Sequence, residues 1–552
     1  MNPIQSKQTE VDIHCHIFNA TDFPGGEFIN EVQSGVLDAL PALPKEVFAK
    51  LVLAFIHIIT HGAPDGVQEL ALLQTARSNS GGADASIARL MSDENDVSLI
   101  RDAKAKIEEL RATADIAEQE AAQLLEDALA GVALGAEIAP HDAASIAGLP
   151  ANTVPSTARF PDDWPRTALG GVVEFVRRAR NYRFKNAVRM FELYGGAEGI
   201  RLICPAVVDY DYWLRPQSFA GEILDPATPH ELQVEVMDGV SQVARRTESG
   251  AVHGYMAYDP LRDELEGGRS LNLVKSAVAS HGFIGVKLYP PMGFQPFRNA
   301  GLDFFIPDSN RKRKWPADLG QRLDARLAAL YQWCLGNDVP VLSHTNATVF
   351  PEPDYQYRPN PVYWAALLES QSRDGVPSPL RLMLGHFGGL SDLKACPEDD
   401  SERSQNERIR CWAEIIRSLC RQYPNVYTDL SFHQVILSDN DSPDRLYYVR
   451  MLAELLGNAG DPMRRKICYG SDWLMLSRIK GHPGYRERME GILRDGVGLD
   501  EESVADVMGR NALRFLGILP SEAHGLGKNA ERLRAYYATH NLSLPEWWPI
   551  EG

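Results

Sequence analysis

The chain has 552 residues and a mass of 61.2 kDa, with 44% hydrophobic and 24% charged residues. That much apolar material excludes disorder as the dominant state, and the length fits a large barrel with insertions or two to three domains. Lys+Arg 56 against Asp+Glu 74 leaves a net charge of −18, a surface that repels phosphates and argues against a nucleic-acid partner.

In chain order, residues 1–10 are polar and lack the apolar stretch of a secretory signal. Residues 11–18 (VDIHCHIF) read as a first strand. The next strand-like run begins at residue 200, and residues 20–199 are too many for a loop. They read as an inserted, mainly helical region. Its most apolar run, residues 51–60 (LVLAFIHIIT), is too short to cross a membrane and contains His57, so a buried helix is expected. Ile100, Ala103, Ile107, Leu110, Ala114, Ala117, Ala121 and Leu124 recur at steps of three and four, a heptad-like stripe whose small residues imply close helix packing. Its partner is either a hairpin within the chain, which we favour, or a second copy. Residues 78–84 and 150–155 read as turns.

Seven further strand-like runs follow at 200–208, 252–258, 283–289, 339–343, 381–386, 425–430 and 466–470, with helix-like sequence at 319–336 and 407–423. Eight strands alternating with helices predict an α/β fold, a (β/α)8 TIM barrel with a long helical insertion after its first strand. No GxGxxG follows the first strand, so a dinucleotide fold loses support. The expected division is 1–19 first strand, 20–199 insertion, 200–520 remaining barrel, and 521–552 a tail. That tail ends with Pro545, Trp547, Trp548 and Pro549, so packing on the barrel or on a neighbouring subunit is expected. Stripe and tail together predict a homo-oligomer. Seven dispersed cysteines without a CxxC pair read as reduced thiols in a cytoplasmic protein.

His14 and His16 lie two apart near the end of the first strand, so their side chains share a face, with Asp12 in phase. Two imidazoles at a barrel rim make half of a divalent metal site, or alternatively a hydrogen-bonded structural pair. His344, His386 and Asp472 each follow a strand-like run, where loops of the catalytic face begin, so all could converge above the barrel.

These motifs resemble the amidohydrolase superfamily: HCH at 14–16, GVKLYPP at 285–291, SHT around His344, GHFGG around His386, GSDW around Asp472 and NALRFLG at 511–517. Within it the chain looks most like the group that includes aminocarboxymuconate-semialdehyde decarboxylase. The resemblance implies His14, His16, His344 and Asp472 as ligands of one divalent ion, most simply Zn²⁺, with His386 beside the metal-bound water and Asp472 as its proton acceptor. Such a donor set suits a borderline divalent ion, which lowers the pKa of bound water to about 7. Lys287 would be a cation near the substrate, or a carbamylated bridge between two metals; one metal is favoured.

Tyr289 and Trp473 are expected to contact substrate, with Phe294 and His433 as further candidates to line the pocket. The basic run Arg311, Lys312, Arg313 and Lys314 reads as a solvated loop before a carboxylate-attracting one, and Cys15 as core. The implied function is a metal-dependent hydrolase acting on an amide, ester or lactone of a small molecule. Non-oxidative decarboxylation of an aromatic or unsaturated acid is the alternative, and a metal-stabilised binding or scaffold protein the reading from another class. No nucleic acid or membrane partner is expected.

Overall fold

The computed structural model describes residues 9–22, 47, 50, 51, 54, 57, 58, 62–78, 82–135, 168–195, 199–214, 228–307, 313–347, 350–390, 411–521 and 525–548. Its strands are β1 (Glu10–Cys15), β2 (Ile200–Pro205), β3 (Ala251–Val252), β4 (Tyr255–Ala257), β5 (Gly285–Leu288), β6 (Val341–Ser343), β7 (Leu382–Leu384), β8 (Val426–Asp429) and β9 (Ile467–Cys468). Each neighbouring pair within the two ladders β1–β2–β3 and β4 to β9 is parallel. The bridge Ala206–Tyr255 joins β2 to β4, so β3 and β4 act as two pieces of one strand. On the other side, Ile13 N–H donates to Tyr469 O (3.3 Å), Asp472 N–H to His14 O (2.7 Å) and His16 N–H to Trp473 O (2.9 Å). Hydrogen bonding therefore runs right round a ring, with β1 beside the end of β9. Each strand-like run of the sequence contains one observed strand position. They were legible because parallel strands covered on both faces read as unbroken apolar runs; β5 to β9 are buried at every position.

Between β1 and β2 lie α1 (Gly66–Ala76), α2 (Ala83–Leu90), α3 (Glu94–Arg111), α4 (Ile116–Gly135), α5 (Ala168–Ala179) and α6 (Arg183–Tyr194). The stripe is not one helix. The chain turns after Arg111, and Asp115 accepts from Ala117 N–H (2.8 Å) to start α4. Ile100, Ala103, Ile107 and Leu110 of α3 then bury against Ala121, Ala122 and Leu125 of α4 and Val172, Val173 and Val176 of α5. A four-residue connection makes two helices antiparallel neighbours, so the stripe finds a partner within the chain. Ala114 falls in the turn and is exposed. The described residues of the 51–60 run are helical; Leu51, Ala54 and Ile58 are buried in the same cluster, while His57 is exposed. Residues 150–155 and 79–81 of the two expected turns lie outside the described residues.

The tail packs on the ring. Helix Lys528–Thr539 brings Leu533, Tyr536 and Tyr537, together with Trp548, against Val11, Ile13, Leu202, Cys204 and Tyr255. One cysteine expectation needs correcting. Cys15, Cys204, Cys334, Cys420 and Cys468 are free and buried, but Cys411 is disulfide-bonded. Among the described residues no helix is long and apolar enough to cross a membrane.

Candidate metal centre and adjoining cavity

β1 delivers His14 and His16, the end of β6 delivers His344, and the turn after β7 delivers His386. Asp472 follows β9 and meets β1 through the ring-closing hydrogen bonds. His386 and Asp472 sit in left-handed backbone, at φ 62° and 55°. That conformation costs an L-residue roughly 1–2 kcal/mol and recurs where surrounding structure holds a side chain in place. Two glycines make room for His14. A Cβ on Gly385 would stand 3.0 Å from His14 Cε1, and one on Gly470 3.1 Å from His14 Cβ.

Each of three imidazoles is held through Nδ1. His14 Nδ1–H donates to Asp429 Oδ2 (3.1 Å), His16 Nδ1–H to Ala206 O (2.9 Å), and His386 Nδ1 meets the carbonyl (3.2 Å) and hydroxyl (2.9 Å) of Ser431. Such outer partners fix the ring and leave Nε2 as the donor atom, the usual arrangement of metal-binding imidazoles. His386 Nε2 lies 3.0 Å from His344 Nδ1. His16 Nε2 lies 3.2 Å from Asp472 Oδ1. With Nδ1 of His16 donating to a carbonyl, this places a ring lone pair against a carboxylate oxygen, an arrangement that only a shared proton or metal ion reconciles. Donor atoms of His14, His386 and Asp472 fall within 4.8 Å of one another.

The electrostatics match a cation site. Burial, and then the neighbouring Lys287, depress the His14 pKa to about 3. Burial followed by His386 and Lys287 takes His344 well below the ordinary imidazole value, and burial likewise lowers His386. These rings are neutral at pH 7, with lone pairs available. Burial works against ionising Asp472, yet the His16 hydrogen bond and the adjoining imidazoles hold its pKa at about 2. Asp429 lies below the usual carboxylate range for the same kind of reason, with His14 overcoming burial. Lys287 Nζ stands 2.7 Å from His14 Nε2, and burial brings its pKa down to about 8 against the pull of Asp472 and Asp429.

All five residues singled out from the sequence thus come together, with one difference in arrangement. The converging set includes His386, which the resemblance places beside the ion, while His16 and His344 join through Asp472 and His386. A cavity adjoins the cluster, lined by Val207, Val208, Asp209, Tyr210, Ala257, Tyr258, Asp259, Lys287, Tyr289 and Phe294. Tyr289 packs on His344, ring centroids 4.4 Å apart. Trp473 does not line this cavity; it is fully buried with the Arg178 guanidinium 5.9 Å from its ring. His433 lies behind the site, donating to His386 O (3.0 Å) and meeting Tyr448 Oη (2.9 Å). Of the basic run, Arg311 and Lys312 lie outside the described residues, and Lys314 pairs with Asp303 at 2.6 Å.

Sequence reasoning missed Asp429 and Asp259, although both are carboxylates at the end of a strand-like run, the signal that singled out Asp472. It also missed Ser431, whose contacts follow no spacing rule.

Residues 263–518 match the family model described as Amidohydrolase, so the resemblance to the amidohydrolase superfamily holds across this stretch. No curated relative matches the chain. Among solved structures, the chain is similar to an uncharacterised TIM-barrel protein of Bordetella bronchiseptica (16% identity, 59% of this chain and 81% of that one, TM-score 0.34). It is also similar to 2,6-dihydroxybenzoate decarboxylase from Rhizobium (14%, 59% and 87%, 0.34). A third is a dihydroxybenzoic acid decarboxylase of Polaromonas sp. JS666 with bound manganese and the inhibitor 2-nitroresorcinol (16%, 61% and 86%, 0.35).

Proposed function

We propose that the chain is a (β/α)8-barrel, metal-dependent enzyme that removes the carboxyl group of a small aromatic or unsaturated acid without oxidation. The cavity carries this reading. Its walls are mainly apolar and aromatic, from Val207, Val208, Tyr210, Tyr258, Tyr289 and Phe294, with Asp259 and the Arg262-paired Asp209 as its acidic lining residues, and its single basic lining residue, Lys287, stands against His14. Flat apolar walls with one cation at the metal end suit an aromatic carboxylate.

His14, His16, His344, His386 and Asp472 are the residues that would hold one divalent ion, Zn²⁺ by the chemistry of the donors. That ion supplies positive charge to draw in a carboxylate and to polarise it. In this reading Lys287 pairs with the substrate carboxylate, and Tyr289 and Phe294 hold the ring. The C–C bond to the carboxyl group breaks, its electron pair stays on the ring carbon, and a proton drawn from solvent replaces the departing CO2. Hydrolysis is the second reading, supported by Asp472, an ionised carboxylate placed to take a proton from water. A scaffold role predicts that His386→Ala and Asp472→Asn leave the biological role intact.

The division at residues 19, 199 and 520, cytoplasmic location and homo-oligomer formation complete the proposal, with the inserted helices as a wall or lid of the site.

The test is a screen of aromatic carboxylates and lactones in heavy-isotope solvent. The proposal expects CO2 release with one solvent deuteron on the product ring, and loss of roughly two orders of magnitude in kcat/KM for Lys287→Met. Incorporation of solvent ¹⁸O into product without CO2 would show hydrolysis instead.

A further inference from the structure

Six arginines among the described residues are buried. Five of them pair with a carboxylate: Arg177 with Asp96 and Glu174, Arg178 with Glu174, Arg180 with Asp102, Arg183 with Asp22 and Glu69, and Arg381 with Asp338. Arg358, 6% exposed, pairs with none among the described residues. Its Nη2 donates to Asp303 O (3.1 Å), and its Nε has no hydrogen-bond partner. The guanidinium lies 5.4 Å from the ring centroid of Phe304 and 5.1 Å from that of Tyr355. Asp354 and Asp303 act on it only at longer range, and the Asp303 carboxylate is taken by Lys314 at 2.6 Å. Burial outweighs these carboxylates and lowers the Arg358 pKa, yet a guanidinium stays charged at neutral pH. A charge removed from water calls for an opposite charge beside it, and the described residues supply none.

A second unused donor lies on the same face. Residues 303–306 pair antiparallel with 313–315. Phe305 bridges Lys314, and Trp315 N–H donates to Phe304 O (2.9 Å). Opposite residues of such a pair share a face, so the Trp315 indole stands on the side of the Phe304 ring. Its buried Nε1 also lacks a partner. The group that satisfies a guanidinium fork and an N–H donor together is an oxyanion, whose oxygens the fork meets two at a time. Arg313 and Lys314 are exposed on the same segment, a local positive charge on a chain of net charge −18. Arg358 does not line the cavity. Trp213 lies against both regions, its ring centroid 6.3 Å from Phe304, 6.2 Å from Tyr355 and 6.5 Å from the cavity-lining Phe294.

We propose that Arg358 anchors a second binding site, outside the cavity, for an oxyanion seated against residues 303–306 and 313–315. The bound anion would tie these segments to the turn Pro353–Tyr357, in the connection that follows His344. The site is independent of the reaction proposed for the metal centre.

The experiment follows melting temperature and calorimetric binding of metal-loaded full-length protein in chloride, acetate and sulfate at one ionic strength. Wild type is expected to show a saturable event with acetate, sulfate or both, raising the melting temperature by at least about 2 °C over chloride. A response to acetate alone assigns a carboxylate ligand, and a response to sulfate alone a tetrahedral oxyanion such as phosphate. Arg358→Met, and Arg358→Lys, which keeps the charge but not the fork, are expected to weaken the event at least tenfold. Lys287→Met is expected to leave it unchanged, because Lys287 belongs to the cavity. If Arg358→Met does not fold, Arg358→Lys decides. No response in wild type, or binding undiminished in the folded Arg358 variants, overturns the site. A response lost in Lys287→Met and kept in Arg358→Lys places the anion in the cavity and overturns it as well.

Discussion

At the scale of single residues, the candidate centre is held by what lies behind it. The Asp429 carboxylate, the Ala206 carbonyl and Ser431 each engage one imidazole through Nδ1, and two glycines remove the bulk that would displace His14. Gly385→Ala puts a methyl group 3.0 Å from His14 Cε1 and 3.1 Å from Ser343 O. The neighbours are a ring fixed at both nitrogens and a strand carbonyl, so neither yields cheaply; overpacking of this kind costs roughly 1–3 kcal/mol. Metal retained per chain after dialysis against a chelator should fall several-fold in this variant, whereas retention equal to wild type would show that His14 is not fixed as described. The histidines were legible because HxH and strand-end positions are sequence patterns. Their supports were not, because a carbonyl or a serine hydroxyl brought in from elsewhere in the chain leaves no pattern.

At the scale of elements, the inserted helices are tied to one another by buried charge. Glu174 of α5 accepts from Arg177 (2.8 and 2.9 Å) and from Arg178 (2.8 Å), and Arg177 also reaches Asp96 of α3 (3.2 Å). The two guanidinium groups overcome burial to hold Glu174 well below the usual carboxylate range. Arg183 of α6 pairs with Asp22 and Glu69. Arg178 lies over Trp473, the neighbour of Asp472, so α5 forms part of the wall behind the site. Removing one partner of a buried ion pair strands the other at a cost of about 3–5 kcal/mol. Glu174→Gln should therefore lower the melting temperature by several degrees and raise proteolytic sensitivity within residues 168–195. A melting curve superimposable on wild type would show that the pair contributes nothing net. Apolar periodicity pointed to helices in this region and left the partner of the stripe open between a hairpin within the chain, which it favoured, and a second copy; the described residues show the hairpin. The turn at residues 112–115 was hidden because helix-compatible residues occupy it, and the buried arginines were hidden because charge in a sequence reads as surface.

At the scale of the whole molecule, buried neutral histidines set an acid limit on stability. His253 accepts from Tyr537 Oη (2.8 Å) and donates to Gly282 O (2.8 Å), linking the ring to the tail helix; burial lowers its pKa to about 4. The same cause takes His433 to about 4. A histidine depressed in the folded state is protonated first in the unfolded chain, so its stabilisation is full above pH about 6.5 and is lost as pH falls towards 4. Each such group contributes a slope of about 1.4 kcal/mol per pH unit in that window. Asp12 opposes it, because burial raises its pKa to about 7, and its stabilisation is lost as pH rises through the same window. The informative quantity is therefore a difference between variants. Unfolding free energies of His253→Phe between pH 4.5 and 6 should slope less steeply than wild type by one proton, and parallel slopes would contradict a neutral His253. The eight-position ring was legible as a whole, since its apolar runs recur along the chain. The docking of the tail was foreseen only as one of two options, because two exposed tryptophans demand a partner without specifying which.

The most direct measurement is divalent metal per chain, by elemental analysis of the purified protein before and after reconstitution with Zn²⁺, beside His14→Ala and Asp472→Ala. The account predicts about one equivalent for wild type and under about a tenth for folded samples of either variant. A folded wild type that takes up no divalent ion, or variants that keep a full equivalent, would contradict it.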